Sequence, residues 1–280
     1  MRFSPRSEIV TGNATARALR LTRMRDLKLK LGGMAAALAC VCMAGAADAQ
    51  RSHAPRDPAL VVAEEIARRV HTFHNFRGDV AHGVFLNDPT RVFAIRATSS
   101  CLEELTSLGI AHETFRTARS PIPTPVRLEG EPIGGVTFRK LRDGAPFIVA
   151  CELAVRLPRI AGILRAHRIH TVDVMSSWRL APRTSFHTMG LALDLNTFTR
   201  DDGTTLDVLR DYPMQPDAPT CEDVDASARP ADAGAALVAL ACDLFARAGL
   251  QTMITPNYSE GHRNHFHIDI RPNDPRLFVR

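Results

Sequence analysis

One short run near the C-terminus most constrains the fold of this chain, "HFHIDI" at residues 265–270. Polar and apolar side chains alternate along it, and successive side chains of a β-strand point to opposite faces. The run therefore predicts a strand with its apolar side towards a core and its polar side towards a cleft. The core-facing side chains are Phe266, Ile268 and Ile270, and the cleft-facing ones are His265, His267 and Asp269.

A second motif lies in the middle of the chain, in "SFHTMGLALDL" at residues 185–195. His187 and Asp194 can reach one ion from this stretch if the chain turns between them, and Gly190 supplies that freedom. A zinc ion in a hydrolytic site needs three protein ligands and one open position, and imidazole and carboxylate are the usual ligands. We therefore interpret the two motifs as halves of one zinc site.

The N-terminus, residues 1–49, is predicted to be an export signal. Residues 28–50 combine a basic flank, an apolar run from about Leu31 to Ala46 and a small-residue ending. The run is too short and too rich in alanine to predict a membrane span, so an uncleaved anchor is only the alternative. Translation from Met24 would give a more compact signal. We expect a periplasmic or otherwise exported protein.

The net positive charge of the chain comes from this predicted signal. Residues 1–49 hold 8 of the 35 Lys and Arg and 3 of the 30 Asp and Glu, which leaves 27 of each in the remainder. The remainder is formally neutral and gives no support for a nucleic-acid partner. Lys140 is the only lysine in it, so any basic surface there is built from arginine.

Four of the six cysteines lie outside the signal. An even number in an exported chain predicts two disulfides with three possible connectivities, and proximity in sequence favours Cys101–Cys151 and Cys221–Cys242. Buried free thiols are the alternative. The sequence has no Cys-x-x-Cys pair for a zinc knuckle, no Gly-x-Ser-x-Gly elbow of serine hydrolases and no glycine-rich phosphate loop.

The remaining patterns predict an α+β fold, with a small antiparallel sheet, flanking helices and the zinc site on the sheet. Residues 50–88 are predicted to form an N-terminal helix and linker, and residues 89–280 the main domain. Helices are expected over 99–110, with a serine cap and an end at Gly109, over 147–169, kinked or split at Pro158, and over 231–250. Strands are expected at 91–97, 170–178, 191–198, 251–256 and 265–270, with a hairpin over 126–141 and a long surface excursion over 199–223.

The motif residues carry a family resemblance. Ser185-x-His187-x-x-Gly190-x-Ala192-x-Asp194, followed by His265-x-His267, resembles the signature of the zinc D-alanyl-D-alanine carboxypeptidase and murein endopeptidase superfamily. More closely, "CLEELTSLGI", "PVRLEG" and "GHRNHFHIDI" resemble the bacterial extensin-like C-terminal domain family, over roughly residues 90–272.

The resemblance implies a role for each matching residue. His187, Asp194 and His267 would be the zinc ligands, and Ser185 would help to hold substrate. "SSWR" at 176–179 resembles an element with a functional arginine, so Arg179 would face the scissile carbonyl or a substrate carboxylate, for which its planar charged fork is suited. A surface ion pair is the alternative role for Arg179.

The general base is assigned less directly. Several superfamily members have a glutamate two or three positions before the last ligand, where this chain has His265 and Asn264. We favour His265, because its unperturbed pKa lies near neutral pH, and place Glu260 second.

The resemblance and the export signal together imply a zinc metallopeptidase acting on peptidoglycan stem peptides or cross-links. A zinc-holding cell-wall-binding module without turnover is the alternative, because the glutamate is missing.

Overall fold

The fold is organised by one eight-stranded β-sheet, seen in a computed structural model that describes residue 57 and residues 84–115, 121–142, 145–182, 185–216, 218–221 and 232–280. All of these residues belong to one compact unit, residues 54–280. The predicted export signal and the predicted helix after it lie outside the described residues. The described strands are β1 (Val84–Asn87), β2 (His112–Thr114), β3 (Pro125–Leu128), β4 (Thr137–Lys140), β5 (Phe147–Ala150), β6 (Ile169–Ser176), β7 (Ala192–Arg200), β8 (Thr205–Asp207), β9 (Thr252–Ile254), β10 (Phe266–Asp269) and β11 (Arg276–Val279).

The strands form two sheets. The large sheet has the order β1-β11-β9-β10-β7-β6-β4, with β8 paired to β7, and the small sheet has the order β2-β3-β5. Pairing is antiparallel except between β4 and β6 and between β9 and β11. The α+β prediction is confirmed, and the main sheet is larger than predicted.

Five helices among the described residues complete the core. They are α1 (Thr98–Ser107), α2 (Cys151–Ala154), α3 (Leu157–Ala166), α4 (Val208–Asp211) and α5 (Ala233–Arg247). Helices α1 and α2 lie beside the small sheet, and α3, α4 and α5 lie against the large one. Helices α3 and α5 contact each other, α3 contacts β6, and α5 contacts β9. Their fully buried leucines cover apolar residues of the central strands, among them Leu193, Leu195, Phe266 and Ile268. None of the helices within the described ranges is both long and apolar enough to cross a bilayer.

Local sequence signals explain where several helices begin and end. The Asp232 carboxylate accepts a hydrogen bond from the Ala235 N–H and caps α5, whose sequence is rich in alanine and leucine. Pro158 lies in the first turn of α3, where a missing N–H has no cost, so the predicted split is confirmed. Gly109 follows α1 with φ of 66°, a conformation that glycine adopts without strain.

Both predicted disulfides are confirmed. Cys101–Cys151 links α1 to α2, and Cys221–Cys242 links the segment before α5 to that helix. Such cross-links are typical of proteins that function outside the reducing cytoplasm.

Two strand predictions are wrong because strand pairing is decided by partners distant in sequence. Residues 91–97 form no strand, since Arg91 ends a 3-10 turn, Pro89–Arg91, and residues 92–97 have no strand partner. The Arg96 N–H donates to the Glu152 carboxylate, and the Phe93 carbonyl accepts from the Asn273 N–H. The predicted hairpin over 126–141 is also wrong. Its halves, β3 and β4, belong to different sheets, where β3 pairs with β2 and β5, and β4 pairs with β6.

Smaller errors occur at element ends. Residues 147–150 form β5 instead of the start of a helix, and residues 84–87 of the predicted linker form β1, paired with β11. The start of α1 is capped by the Asp57 carboxylate, which accepts from the Thr98 N–H at 2.8 Å, and not by a serine. The described part of the predicted excursion over 199–223 contributes strand β8, helix α4 and three buried hydrophobic side chains, Leu206, Val208 and Tyr212.

Candidate metal centre

Two neighbouring strands place a carboxylate and an imidazole side by side. In the antiparallel pair of β7 and β10, Asp194 lies directly opposite His267, so both side chains point to the same face of the sheet. The next pair, Leu193 and Ile268, is fully buried on the opposite face. The alternation predicted for β10 is therefore confirmed, and cross-strand pairing selects His267 as the partner of Asp194.

The third side chain comes from a single turn of 3-10 helix, Phe186–Met189, just before β7. The Ser185 hydroxyl caps this turn by accepting the His187 N–H. Gly190 ends the turn with φ of 65°, and a Cβ there would lie 2.6 Å from the Ala150 backbone nitrogen. The Ala150 N–H donates to the Gly190 carbonyl. Glycine is therefore required both by the left-handed turn and by the close approach of the end of β5, and this turn directs His187 back over β7.

The three side chains converge on one point. His187 Nε2 lies 3.0 Å from Asp194 Oδ1 and 3.1 Å from His267 Nδ1, and His267 Nδ1 lies 3.0 Å from Asp194 Oδ1. In a tetrahedral zinc site with bonds of 2.0–2.1 Å, ligand atoms are separated by about 3.3 Å. The three ligand atoms are thus spaced almost as a bound metal ion requires, and the cluster could hold a metal ion.

Outer hydrogen bonds fix which ring nitrogens face the centre. His187 Nδ1 lies 2.6 Å from the Ser177 carbonyl, which can only accept, so this nitrogen carries the hydrogen and Nε2 presents a lone pair. His267 Nε2 lies 3.3 Å from the buried Asp269 carboxylate and donates to it. Arg271 in turn pairs with Asp269 at 3.0 Å. Partners of this kind orient metal-binding histidines and increase their basicity.

The electrostatics of the cluster favour a cation. Burial alone would raise the pKa of Asp194, but its contacts with the His187 and His267 rings hold that pKa below its ordinary value. Burial lowers the pKa of His187, which stays neutral. Burial also acts to lower the pKa of His267, yet Asp194 and Asp269 on its two sides raise it to about 9. Without a metal, the His267 ring is therefore protonated on both nitrogens. A metal ion would take the place of the proton on Nδ1.

A third histidine, His265, lies beside the cluster without belonging to it. Its Nε2 is 3.5 Å from Asp194 Oδ1, and its Nδ1 donates to the Asn264 side-chain oxygen at 2.8 Å. Burial lowers the pKa of His265, so its Nε2 is a neutral proton acceptor facing the centre.

The residues predicted to contact substrate lie at the surface above the cluster. Arg179 is exposed, and its Nη2 donates to the Ser185 hydroxyl at 3.4 Å. Because Ser185 also caps the turn that carries His187, the predicted substrate-binding pair is joined to a metal-binding residue. Glu260 lies in the short helix Glu260–His262, where its carboxylate is 72% exposed and pairs with Arg263 at 2.8 Å.

One residue that the sequence did not assign to the site is His262. Its ring centroid lies 5.2 Å from that of His265 and 6.2 Å from that of His267. Burial lowers the pKa of His262 to about 4, and the neighbouring imidazoles act in the same direction. Its Nδ1 is held 2.8 Å from the Ser259 hydroxyl. Histidine spacing in "GHRNHFH" was the available signal, but the loop conformation that brings His262 inwards is not encoded in that spacing.

The fold and the site together define a disulfide-containing α+β protein with a His, Asp, His cluster on the polar face of its central sheet. The chain belongs to the family described as extensin-like protein C-terminus, whose model matches residues 99–277. No curated protein matches the chain, and no solved structure matches it. The family predicted from the motifs is therefore confirmed, and the match covers both halves of the cluster.

Proposed function

We propose that this protein is an exported zinc-dependent hydrolase that cleaves peptide bonds in the stem peptides or cross-links of peptidoglycan. One observation carries the proposal: two imidazole nitrogens and one carboxylate oxygen meet within 3.1 Å of one another in a buried cluster. The resemblance of the motifs to zinc D-alanyl-D-alanine peptidases supports the choice of substrate, and the two disulfides support an exported location.

The ligand set favours zinc. His187, Asp194 and His267 provide three ligands of the type that catalytic zinc sites use, and such sites leave a fourth position for water or substrate. The ion would supply Lewis acidity and a more acidic water molecule at neutral pH. The protein would hold it with two outer partners, the Ser177 carbonyl and the Asp269 carboxylate.

The remaining site residues account for proton transfer and charge. His265 would accept a proton from the attacking water through Nε2 and later deliver it to the amine that leaves. The Arg179 guanidinium would donate to the carbonyl oxygen as negative charge develops there, with Ser185 holding the guanidinium in place. The partly buried, uncharged ring of His262 would narrow the site beside His265.

A second candidate is a zinc-holding module that binds cell-wall peptides without cleaving them. The position of Glu260 favours this module, because the carboxylate faces solvent and pairs with Arg263. The described site then has no glutamate as general base, and histidine is its proton acceptor.

Digestion of purified peptidoglycan, followed by mass spectrometry of the products, tests the proposal. We expect new stem-peptide fragments with the zinc-loaded protein, their loss after treatment with a chelator, and their return when zinc is restored. Binding of peptidoglycan without fragments, in protein that carries one zinc per chain, would favour the module. Fragments that are insensitive to chelation would contradict the zinc mechanism.

A further inference from the structure

A second cationic residue, Lys140, lies within electrostatic reach of the metal cluster. Lys140 ends β4, where it pairs with Val174 of the parallel neighbour β6, and Ser176 of β6 pairs with Asp194 of β7. Adjacent strands lie about 4.8 Å apart, so the two backbones are separated by about 10 Å across the sheet. Among the described residues, the Asp194 carboxylate is the charged group that acts on Lys140.

The Lys140 side chain is half-buried. Within the described ranges it has no ion pair and no side-chain hydrogen bond. Burial lowers the pKa of Lys140, and the Asp194 carboxylate acts against that effect. A partly desolvated charge without a partner is unfavourable, so an anion that reached it would be bound with little competition from the protein.

Lys140 also lines a surface cleft of about 480 Å³ between the small sheet and the edge strand β4. This volume is in the range of ligand-binding sites. Two arginines share the cleft, but Arg127 pairs with Glu113, and Arg139 pairs with Asp173. Among the described residues, both arginines of this cleft are therefore neutralised by carboxylates, and Lys140 is not. Phe138 and Phe147 give the same cleft an apolar wall.

Exposed leucines follow both cationic residues at this end of the sheet. Because β4 and β6 are parallel, their carboxyl ends meet at the same edge. Leu141 follows Lys140 and is 49% exposed, and Leu180 follows Arg179 and is 53% exposed. An exposed apolar side chain therefore follows each of these cationic residues in sequence, a combination that suits a peptide carrying carboxylates and small apolar side chains.

We propose that Lys140 binds a free carboxylate of the peptide substrate and thereby positions that peptide between the metal cluster and this cleft. The inference rests on the proposed function for the identity of the ligand as a peptide. Lys140 would act on binding and orientation, and would take no part in proton transfer.

Steady-state kinetics on two peptides tests this assignment. The probes are one purified stem peptide with free carboxylates and the same peptide with those carboxylates amidated. Lys140→Met should raise KM for the free-acid peptide about tenfold with little change in kcat, the size expected for a lost charge-assisted hydrogen bond. It should not alter KM for the amidated peptide. Lys140→Arg should keep KM for the free-acid peptide close to the wild-type value. Arg247→Met on α5 removes one positive charge elsewhere and serves as the charge-matched control.

Chemical labelling gives a readout that does not need turnover. Lys140 is the only lysine in residues 50–280, so acetylation by an activated ester reports on it directly in mass spectra of the exported protein. The free-acid peptide should slow acetylation and the amidated peptide should not. Protection without hydrolysis would support this subsite while contradicting the proposed hydrolase. Hydrolysis with equal KM for both peptides in wild type and Lys140→Met, or no protection by either peptide, would overturn the subsite.

Discussion

The buried ligands of the metal cluster and the residues around its opening are built differently. His187, Asp194 and His267 are positioned by paired strands and a capped turn, and two of them are at most 2% exposed. Arg179 and Glu260 are exposed and lie outside strands, on segments that follow β6 and precede β10. The cluster is therefore preorganised by the fold, whereas Arg179 and Glu260 are held at the surface by side-chain contacts with Ser185 and Arg263. Holding a cation and carrying out chemistry should be separable by mutation.

The largest expected effect comes from His187→Ala. Removing one of three ligands should abolish stoichiometric zinc binding and reduce hydrolysis below detection, because two ligands hold the ion too weakly. Zinc content by mass spectrometry and release of stem-peptide fragments are the measurements. His170→Ala, at the opposite end of β6 from the site, is the matched control and should keep both properties. A zinc-loaded His187→Ala protein would refute the ligand assignment.

A smaller effect with a different pattern is expected for His265→Gln. The imidazole touches Asp194 at 3.5 Å without being part of the triangle, so zinc should be retained at one ion per chain. Loss of a general base should lower kcat by about 10²–10⁴-fold with a modest change in KM. If zinc is lost together with activity, His265 belongs to the metal-binding set and the distinction between ligands and surrounding residues fails there.

Asp269→Asn tests the outer partners of the ligands. Asp269 receives a hydrogen bond from His267 Nε2 and an ion pair from Arg271, so the substitution weakens the orientation and basicity of the ring. Zinc affinity should fall about 10–100-fold, as measured by competition with a fluorescent chelator. Activity at saturating zinc should recover most of the wild-type value. Unchanged affinity would show that Asp269 stabilises only the strand.

Glu260→Gln should have the smallest effect. Its carboxylate is exposed and paired with Arg263, so kcat should change less than about twofold and stability by less than about 0.5 kcal/mol. Parallel kinetics with His265→Gln decide between the two proton acceptors suggested by the sequence. A loss in Glu260→Gln equal to that in His265→Gln would transfer the general-base role to Glu260.

The same contrast explains what could be predicted from sequence. Alternation along residues 265–270 assigned the faces of the four residues that form β10 correctly, because side-chain direction in a strand is a local property. The left-handed turn at Gly190 was likewise foreseen from one residue type. Helix α5 and the split before α3 followed from periodicity and proline.

Predictions failed where residues distant in sequence determine the strand pairing or the loop conformation. Nothing in residues 126–141 indicates that β3 joins a different sheet from β4, because both runs have strand composition and a glycine-containing connection. Residues 91–97 alternate as a strand would, but the Arg96 N–H donates to Glu152 and the Phe93 carbonyl accepts from loop backbone. The inward position of His262 depends on the loop after β9, whose conformation its sequence does not specify.

X-ray absorption at the zinc edge, recorded on the purified wild-type protein loaded with one equivalent of zinc, tests the central claim most directly. The account expects one tightly bound ion with two imidazole nitrogens and additional oxygen ligands at about 2.0–2.1 Å, from one carboxylate and solvent. A spectrum with fewer than two imidazoles, or zinc that dialyses away from the wild-type protein, would contradict the claim that His187, Asp194 and His267 form a metal site.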